Sequence, residues 1–261
     1  MACREDRVEL CFRCGQCMAV CPVEAVAVDR LSYSDDFFEL PKPESYEESF
    51  YNLICTRRAV RNFIDKPVPK EILEKIVKAI SFAPPGFPPI KTSLIVVQNP
   101  EIIKQALPYM IDMFEMLVDA MGNPIKRYFI KKEVGAKAFL TMQRHLIPLL
   151  IKRLPSLKDG TEDTITRGAP AMILFLCDRN GEDIRDEIHI AATYGMLAAH
   201  ALGLGGTIMH IIPPPIERKK ELREMFNVTD NQEVVSSLIL GYPKYKYQRG
   251  ISRKIENVKW V

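Results

Sequence analysis

Four cysteines near the start of the chain have the spacing of a ligand set. Cys11, Cys14, Cys17 and Cys21 read C-x2-C-x2-C-x3-C, followed at once by Pro22. This is the bacterial iron–sulfur run. A 4Fe–4S cube needs thiolates converging from several sides, and two-residue gaps let three of them wrap one face. Pro22 ends the wrapping turn, because its ring fixes φ and it carries no N–H. Gly15 relieves crowding where the backbone passes close to sulfide. Zinc is the competing reading, but zinc sites usually separate their cysteine pairs by a longer loop. In two-cluster proteins the fourth cysteine of such a run serves the other cluster. Here the remaining cysteines are Cys3, Cys55 and Cys177. Either Cys21 or Cys3 closes a single cube, or the chain is an N-terminally shortened version of a longer parent.

A second cluster of chemistry is cationic. Arg57, Arg58 and Arg61 fall within five residues, flanked by Val60 and Phe63. Alternation places Arg57, Ala59 and Arg61 on one side and Arg58 on the other. Guanidinium forks suit phosphate; the plain alternative is a solvated basic face. The stretch 83–89, Ala-Pro-Pro-Gly-Phe-Pro-Pro, is a rigid loop whose prolines forbid helix and central strand. Such a loop between packed elements is a good place for a ligand.

These residues need elements to hold them. The pattern predicts helices over 44–54 and 71–82, the second with Ile72, Leu73, Ile76, Val77 and Ile80 facing a core. Residues 101–121 and 128–153 are mostly helical and carry Met110, Met113, Met116 and Met121, residues that fill a core or a lid. Residues 93–98, 169–177 and 234–240 read as buried strands, and 155–168 as a polar loop. The helix over 188–202 is rich in alanine and glycine, which predicts a buried or subunit-interface helix. Residues 1–30 form the cysteine module, closed by a short turn and strand over 23–28, and 31–43 is a linker kept extended by its prolines. Phe37 and Phe38 could pin that linker to the next domain.

Composition narrows the function. With 261 residues, 47% of them hydrophobic, the chain can bury one main core beside a small appendage. A net charge of +3, from 36 basic and 33 acidic residues, argues against nucleic acid and anionic membranes as partners. No apolar run approaches a membrane span. Thiolate ligands favour a reducing interior, so the expected location is cytoplasmic.

Four stretches then line up with one family. Residues 57–63, Arg-Arg-Ala-Val-Arg-Asn-Phe, resemble the nitroreductase opening R-R-S-V-R-x-F. The proline loop matches that family's A-P-S-G-G-N-x-Q-P-W in position and length. Residues 191–205 resemble its A-x-x-N-L-L-L-A-A-x-x-L-G-L-G helix, and Leu240-Gly241-Tyr242-Pro243 its closing G-Y-P. The resemblance covers about residues 46–261, and the cysteine module in front resembles the subset with a fused ferredoxin domain. It implies an α+β fold, an FMN-binding sheet wrapped by helices, with a ferredoxin-like module and linker over 1–43 and the FMN domain over 44–261.

The resemblance also implies a homodimer with FMN at the subunit interface. By position, Arg57, Arg58 and Arg61 would hold the flavin phosphate and ribityl chain, with Arg249 and Arg253 as C-terminal phosphate contacts. Ile208, Met209 and His210 would lie against the isoalloxazine. Pro84, Pro85, Gly86 and Pro88 would reach the other subunit's flavin. Ala59 departs from the family's Ser, Pro88 from an Asn, and His210 from a Gly, which bears on substrate range more than on flavin binding. His210 is the candidate catalytic residue, as a proton donor, since His titrates near neutral pH; an orienting hydrogen bond or a steric gate is the alternative role. The implied activity is that of an FMN-dependent oxidoreductase passing electrons from the 4Fe–4S module to a small electron-poor acceptor, a nitroaromatic or a quinone. The donor would be ferredoxin or NAD(P)H. Non-enzymatic electron transfer or redox sensing, reductive dehalogenation and flavin breakdown are the alternatives.

Overall fold

The structure is a computed structural model that describes residues 15–19, 21–37, 46–86, 90–247 and 255–261. Its centre is a four-stranded antiparallel sheet. Strands β1 (Ser93–Val97), β2 (Ala171–Asp178), β3 (Gly205–Ile208) and β4 (Gln232–Gly241) are ordered β1-β2-β4-β3. Every residue of β2 from Ala171 to Cys177 is buried. Its side chains alternate between two cores, one on each face of the sheet: Met172, Leu174 and Leu176 on one side, Ala171, Ile173, Phe175 and Cys177 on the other. A strand covered on both faces must be apolar at every position, which is why it reads as an unbroken hydrophobic run.

Helices cover both faces. On one lie α4 (Lys70–Ile80) and α9 (Arg185–Ala201). Leu73, Ile76 and Ile80 of α4 are its buried stripe, as the spacing predicts. The small residues of α9 have a local cause. A Cβ added at Gly195 would stand 3.0 Å from Ile80 and 3.2 Å from Leu238, so α9 can sit this close to α4 and β4 only without a side chain there. Its other face leaves Ile190 and Tyr194 exposed.

The second face carries α5 (Pro100–Gly122), α6 (Pro124–Val134), α7 (Ala136–Thr141) and α8 (Ile147–Lys158), with a π-helical turn at Met142–Leu146. Asn99 and Asn123 start α5 and α6: each side-chain oxygen accepts backbone N–H bonds from the first turn, and a proline follows each. The polar stretch expected from residue 155 begins later, because α8 continues through Pro155 to Lys158. Two short helices, α10 (Pro213–Arg218) and α11 (Lys220–Met225), follow β3. They had no sequence signal beyond the prolines that open α10.

At the N-terminus α1 (Gln16–Ala19) is a single turn and α2 (Tyr33–Asp36) a second. The expected strand over 23–28 does not form; Glu24 and Arg30 have positive φ, and no partner strand lies beside it among the described residues. The expected linker starts with α2, and Phe37 packs on Tyr33 at 5.4 Å and against Gly15, so it pins the cysteine turn to itself. Gly15 has φ +72, a conformation L side chains avoid. Helix α3 (Tyr46–Thr56) leads into the main domain.

Candidate functional site

The cysteine turn is the first group of candidate residues, held by contacts within residues 15–37. Cys17 lies on α1, and Cys21 follows it with its N–H donated to Met18. The Ala25 N–H donates to Cys21 Sγ at 3.2 Å. The backbone N–H groups of Val23 and Ala25, and more weakly Val26 and the Tyr33 hydroxyl, lower the thiol pKa below its ordinary value. Hydrogen bonds to sulfur favour the charged form, so Cys21 sits where a thiolate ligand is stabilised. Cys11 and Cys14 lie outside the described residues.

The cationic part lies on the β3 edge of the sheet. Ala59 bridges Gly206 and Val60 donates its N–H to the Gly206 carbonyl, while Phe63 bridges Pro243. Gly205 makes this docking feasible: a Cβ there would stand 2.5 Å from Val60. The three arginines then part company. Arg57 donates to Met196 Sδ of α9 at 3.4 Å. Arg58 donates to the carbonyls of Cys55 and Arg57 and lines a cavity of about 440 Å³ with Thr56, His200, Lys244 and Lys246. His200 bonds Thr56 Oγ1 at 2.9 Å, and burial, then Arg57 and Arg58, lower its pKa.

Arg61 meets a residue that sequence reasoning missed, Arg167. Phe63 and Pro170 both close on Gly241, where an added Cβ would stand 2.8 and 2.6 Å from them. The two chain segments therefore converge and bring Arg61 beside Arg167. Burial and then Arg61 lower the Arg167 pKa. Its Nε is buried with no hydrogen-bond partner among the described residues. Its backbone is left-handed, φ 61. Asp163 fixes that turn, accepting N–H bonds from Ile165, Thr166 and Gly168 and the Thr166 hydroxyl. Glu162 and Asp163 partly offset the repulsion between the two cations. Nothing in the local pattern around Arg167 distinguishes it from a surface arginine.

The third part surrounds His210. Ile208 packs into one core and Met209 into the other, Met209 being fixed by hydrogen bonds in both directions with Ser237. His210 follows and stacks edge-on against His189 of α9 at 5.2 Å. Burial, then His189, lower its pKa, so it is neutral at physiological pH. His189 was also absent from the sequence reading.

The proline loop lies elsewhere in the same chain. Pro84 and Pro85 line a cavity of about 220 Å³ with Glu187 and Ala191, and Gly86 approaches Glu187 so closely that a Cβ would fall 2.7 Å from its carboxylate. Glu187 and His200 are thirteen residues apart on α9, roughly 20 Å at 1.5 Å per residue. The loop and the Arg58 cavity thus flank opposite ends of that helix. Pro88, Arg249 and Arg253 lie outside the described residues.

Comparison with known proteins identifies the fold that presents these groups. The model of the nitroreductase family matches residues 54–242. The chain belongs to the nitroreductase family. The model of the 4Fe–4S binding domain matches residues 7–27, the segment of the four-cysteine run. Among curated relatives of this nitroreductase-family chain is an iodotyrosine deiodinase from Nematostella vectensis, 24% identical over 213 residues, covering 79% of this chain and 73% of that protein. A protein of Archaeoglobus fulgidus, provisionally named NADH dehydrogenase/NAD(P)H nitroreductase, is 26% identical over 198 residues, 76% of this chain and 87% of its own. A nitroreductase with bound FMN from Bacteroides fragilis superposes with a TM-score of 0.61 at 18% identity, covering 81% of this chain and 97% of its own, which establishes the shared fold. The sheet wrapped by helices that the sequence implies is therefore the fold of this nitroreductase-family chain. No described helix is long and apolar enough to cross a membrane.

Proposed function

We propose that the chain is an FMN-dependent oxidoreductase in which a 4Fe–4S module over 1–43 receives electrons and the domain over 44–261 delivers them to a small electron-poor acceptor. The observation that carries this reading is the juxtaposition of two cations, Arg61 and, just before β2, Arg167. The buried Nε of Arg167 lacks a partner among the described residues and faces another cation, Arg61. Arg58, Lys244 and Lys246 line a cavity of their own. An anionic, phosphate-bearing cofactor fits this donor set, since each charge-assisted contact contributes about 1.5–3 kcal/mol. Arg58, Arg61 and Arg167 would hold FMN, with Arg57 positioned behind them on Met196. FMN, when bound, supplies the electron-transfer chemistry. The chain's own residues orient it, and His210 presents a neutral imidazole that can donate or accept one hydrogen bond at the acceptor. Cys11, Cys14, Cys17 and Cys21 would ligate the cluster, and the Ala25 N–H bond to Cys21 Sγ supports the last of these.

The arrangement along α9 favours a homodimer. The proline loop and the Arg58 cavity flank opposite ends of that helix, so a two-fold axis crossing it brings one copy's loop to the other copy's arginines. A cluster of this kind persists in a reducing compartment, which fits a cytoplasmic protein with ferredoxin or NAD(P)H as donor.

The test is cofactor content and affinity. Anaerobically purified protein is expected to contain iron, sulfide and FMN, and reduced ferredoxin to drive turnover of a nitroaromatic compound. In a fluorescence titration Arg167→Met should weaken FMN binding about tenfold or more, the equivalent of one charge-assisted contact. Equal affinity in variant and parent rejects the assignment of Arg167, and protein that takes up no FMN rejects the reading as a whole.

A further inference from the structure

The charge of this chain is unevenly spread. Residues 124–153 hold eight lysines and arginines and one acidic residue, Glu133, so the segment carries +7. Taking these from the chain's 36 basic and 33 acidic residues leaves 28 and 32, a net −4. The near-neutral total, which by itself argues against an anionic partner, is an average over two unlike parts. The segment's one carboxylate is taken up by Arg218 of α10 at 2.7 Å. Lys126, Arg127, Lys131 and Lys132 of α6 are all exposed.

Helix α6 presents this charge beside bare apolar surface. At about 3.6 residues per turn, Ile125, Tyr128, Phe129 and Lys132 share one face. Ile130 and Val134 occupy the other, where they line a cavity with Met113 and Phe114 of α5. Ile125, Tyr128 and Phe129 are 70%, 65% and 61% exposed. The two rings meet edge to face at 5.7 Å and form one patch. No residue of this 11-residue helix is buried. A helix so short gains most of its stability from packing of an apolar face, yet this one points its aromatic rings outward, with Lys126 and Lys131 on either side.

Whatever covers this face must be anionic and must accept apolar groups. A second copy fails the first condition, because a two-fold contact sets the same face against itself, lysine against lysine. Single-stranded nucleic acid stacks its bases on open ring faces, and rings held edge to face offer no pair of parallel platforms. Protein interfaces are poor in lysine. An anionic bilayer meets both conditions. Lysine stems lie along apolar surface while their ammonium groups reach the headgroups, and aromatic rings settle at the headgroup boundary. We propose that α6 docks the protein on the surface of an anionic lipid bilayer. Ile125, Tyr128 and Phe129 enter the headgroup boundary, and Lys126, Lys131 and Lys132 pair with anionic headgroups. The helix lies on the membrane; no described helix is long and apolar enough to cross one. This docking rests on neither the flavin nor the cluster.

Flotation of the full-length protein with lipid vesicles tests this. Vesicles of phosphatidylcholine alone are compared with vesicles in which about one third is phosphatidylglycerol. The protein is expected to float with the second and stay behind with the first. Added salt should release it, since exposed charges are screened. Lys131→Gln combined with Lys132→Gln should weaken binding about 25-fold, about fivefold for each charge at the surface. Phe129→Ser should weaken it about tenfold or more through lost apolar burial. All three positions are exposed, and a thermal melt checks that the variants fold. In Tyr128→Trp, emission should shift to the blue with anionic vesicles, beyond any shift of the parent, whose single tryptophan is Trp260. Failure of the parent to float with the anionic vesicles overturns the proposal. Equal flotation with both compositions overturns the role of the lysines. Unchanged binding in the folded variants overturns the placement on α6. If Phe129→Ser turns a lipid-free dimer into a monomer, a second copy covers this face and the proposal fails. It fails also if polyuridylate displaces the protein from the vesicles and binds parent and Phe129→Ser equally, which assigns the face to nucleic acid.

Discussion

His200 shows how the cationic edge reaches into stability at the level of one residue. Its imidazole is partly buried, bonded to Thr56, and held below its ordinary pKa by burial and then by Arg57 and Arg58. The folded state therefore favours the neutral ring. An unfolded chain takes up the proton near pH 6.5, whereas the folded chain does so only at lower pH. Stability is full above that value and falls as pH drops from about 6.5 through the depressed folded pKa. His200→Gln, which retains a partner for Thr56, should flatten the dependence of Tm on pH between pH 7.5 and 5. Parallel curves for variant and parent show that His200 does not carry this effect. Arg167 differs in being placed by its backbone, a left-handed conformation that Asp163 holds.

At the level of elements, the site depends on an irregular segment lying along a short edge strand. Residues 57–63 are joined to β3 and to the residues after β4 by a few backbone bonds, including Val60 to Gly206 and Ile64 to Tyr242. The approach is set by Gly205, against whose missing side chain Val60 rests. Gly205→Ala should push this segment off the edge, at a cost of about 1–3 kcal/mol for overpacking, and weaken FMN binding with it. Urea unfolding gives the first quantity and fluorescence titration the second. Adding Val60→Gly removes the clash, so the double variant should be less destabilised than the sum of the two single changes. Strict additivity would show that the two residues do not oppose each other.

At the scale of the whole molecule, the proposed homodimer can be tested on exposed apolar residues. Phe50 and Tyr51 of α3, Ile190 and Tyr194 of α9 and Trp260, 93% exposed, all face solvent in the single chain. Exposed apolar side chains of this kind are what a subunit interface would cover, and two of them lie on the helix whose ends are flanked by the proline loop and the Arg58 cavity. Sedimentation of flavin-loaded protein at micromolar concentration should give a dimer, and Tyr194→Lys should shift it towards monomer with loss of flavin. A monomer that retains FMN would separate cofactor binding from dimerisation and overturn the shared-site reading.

The parts of this protein that local pattern determined are those where one residue type at one spacing has few uses. The four-cysteine run, the apolar run that became β2 and the stripe of α4 are of this kind, because a thiolate cage, a doubly covered strand and an amphipathic helix each leave a short-range signature. The four motifs that resemble nitroreductases led to the fold for the same reason, being short and in a fixed order. Tertiary structure decided what depends on residues far apart in the chain. It separated Arg57, Arg58 and Arg61, which are neighbours in sequence, onto different surroundings. It joined Arg61 to Arg167 and His210 to His189, pairs far apart in the chain. It buried Met110, Met113 and Met121 of α5 and left Met116 exposed. Spacing along a chain fixes which side of an element a residue occupies, but only the packing of other elements against that side determines what it meets.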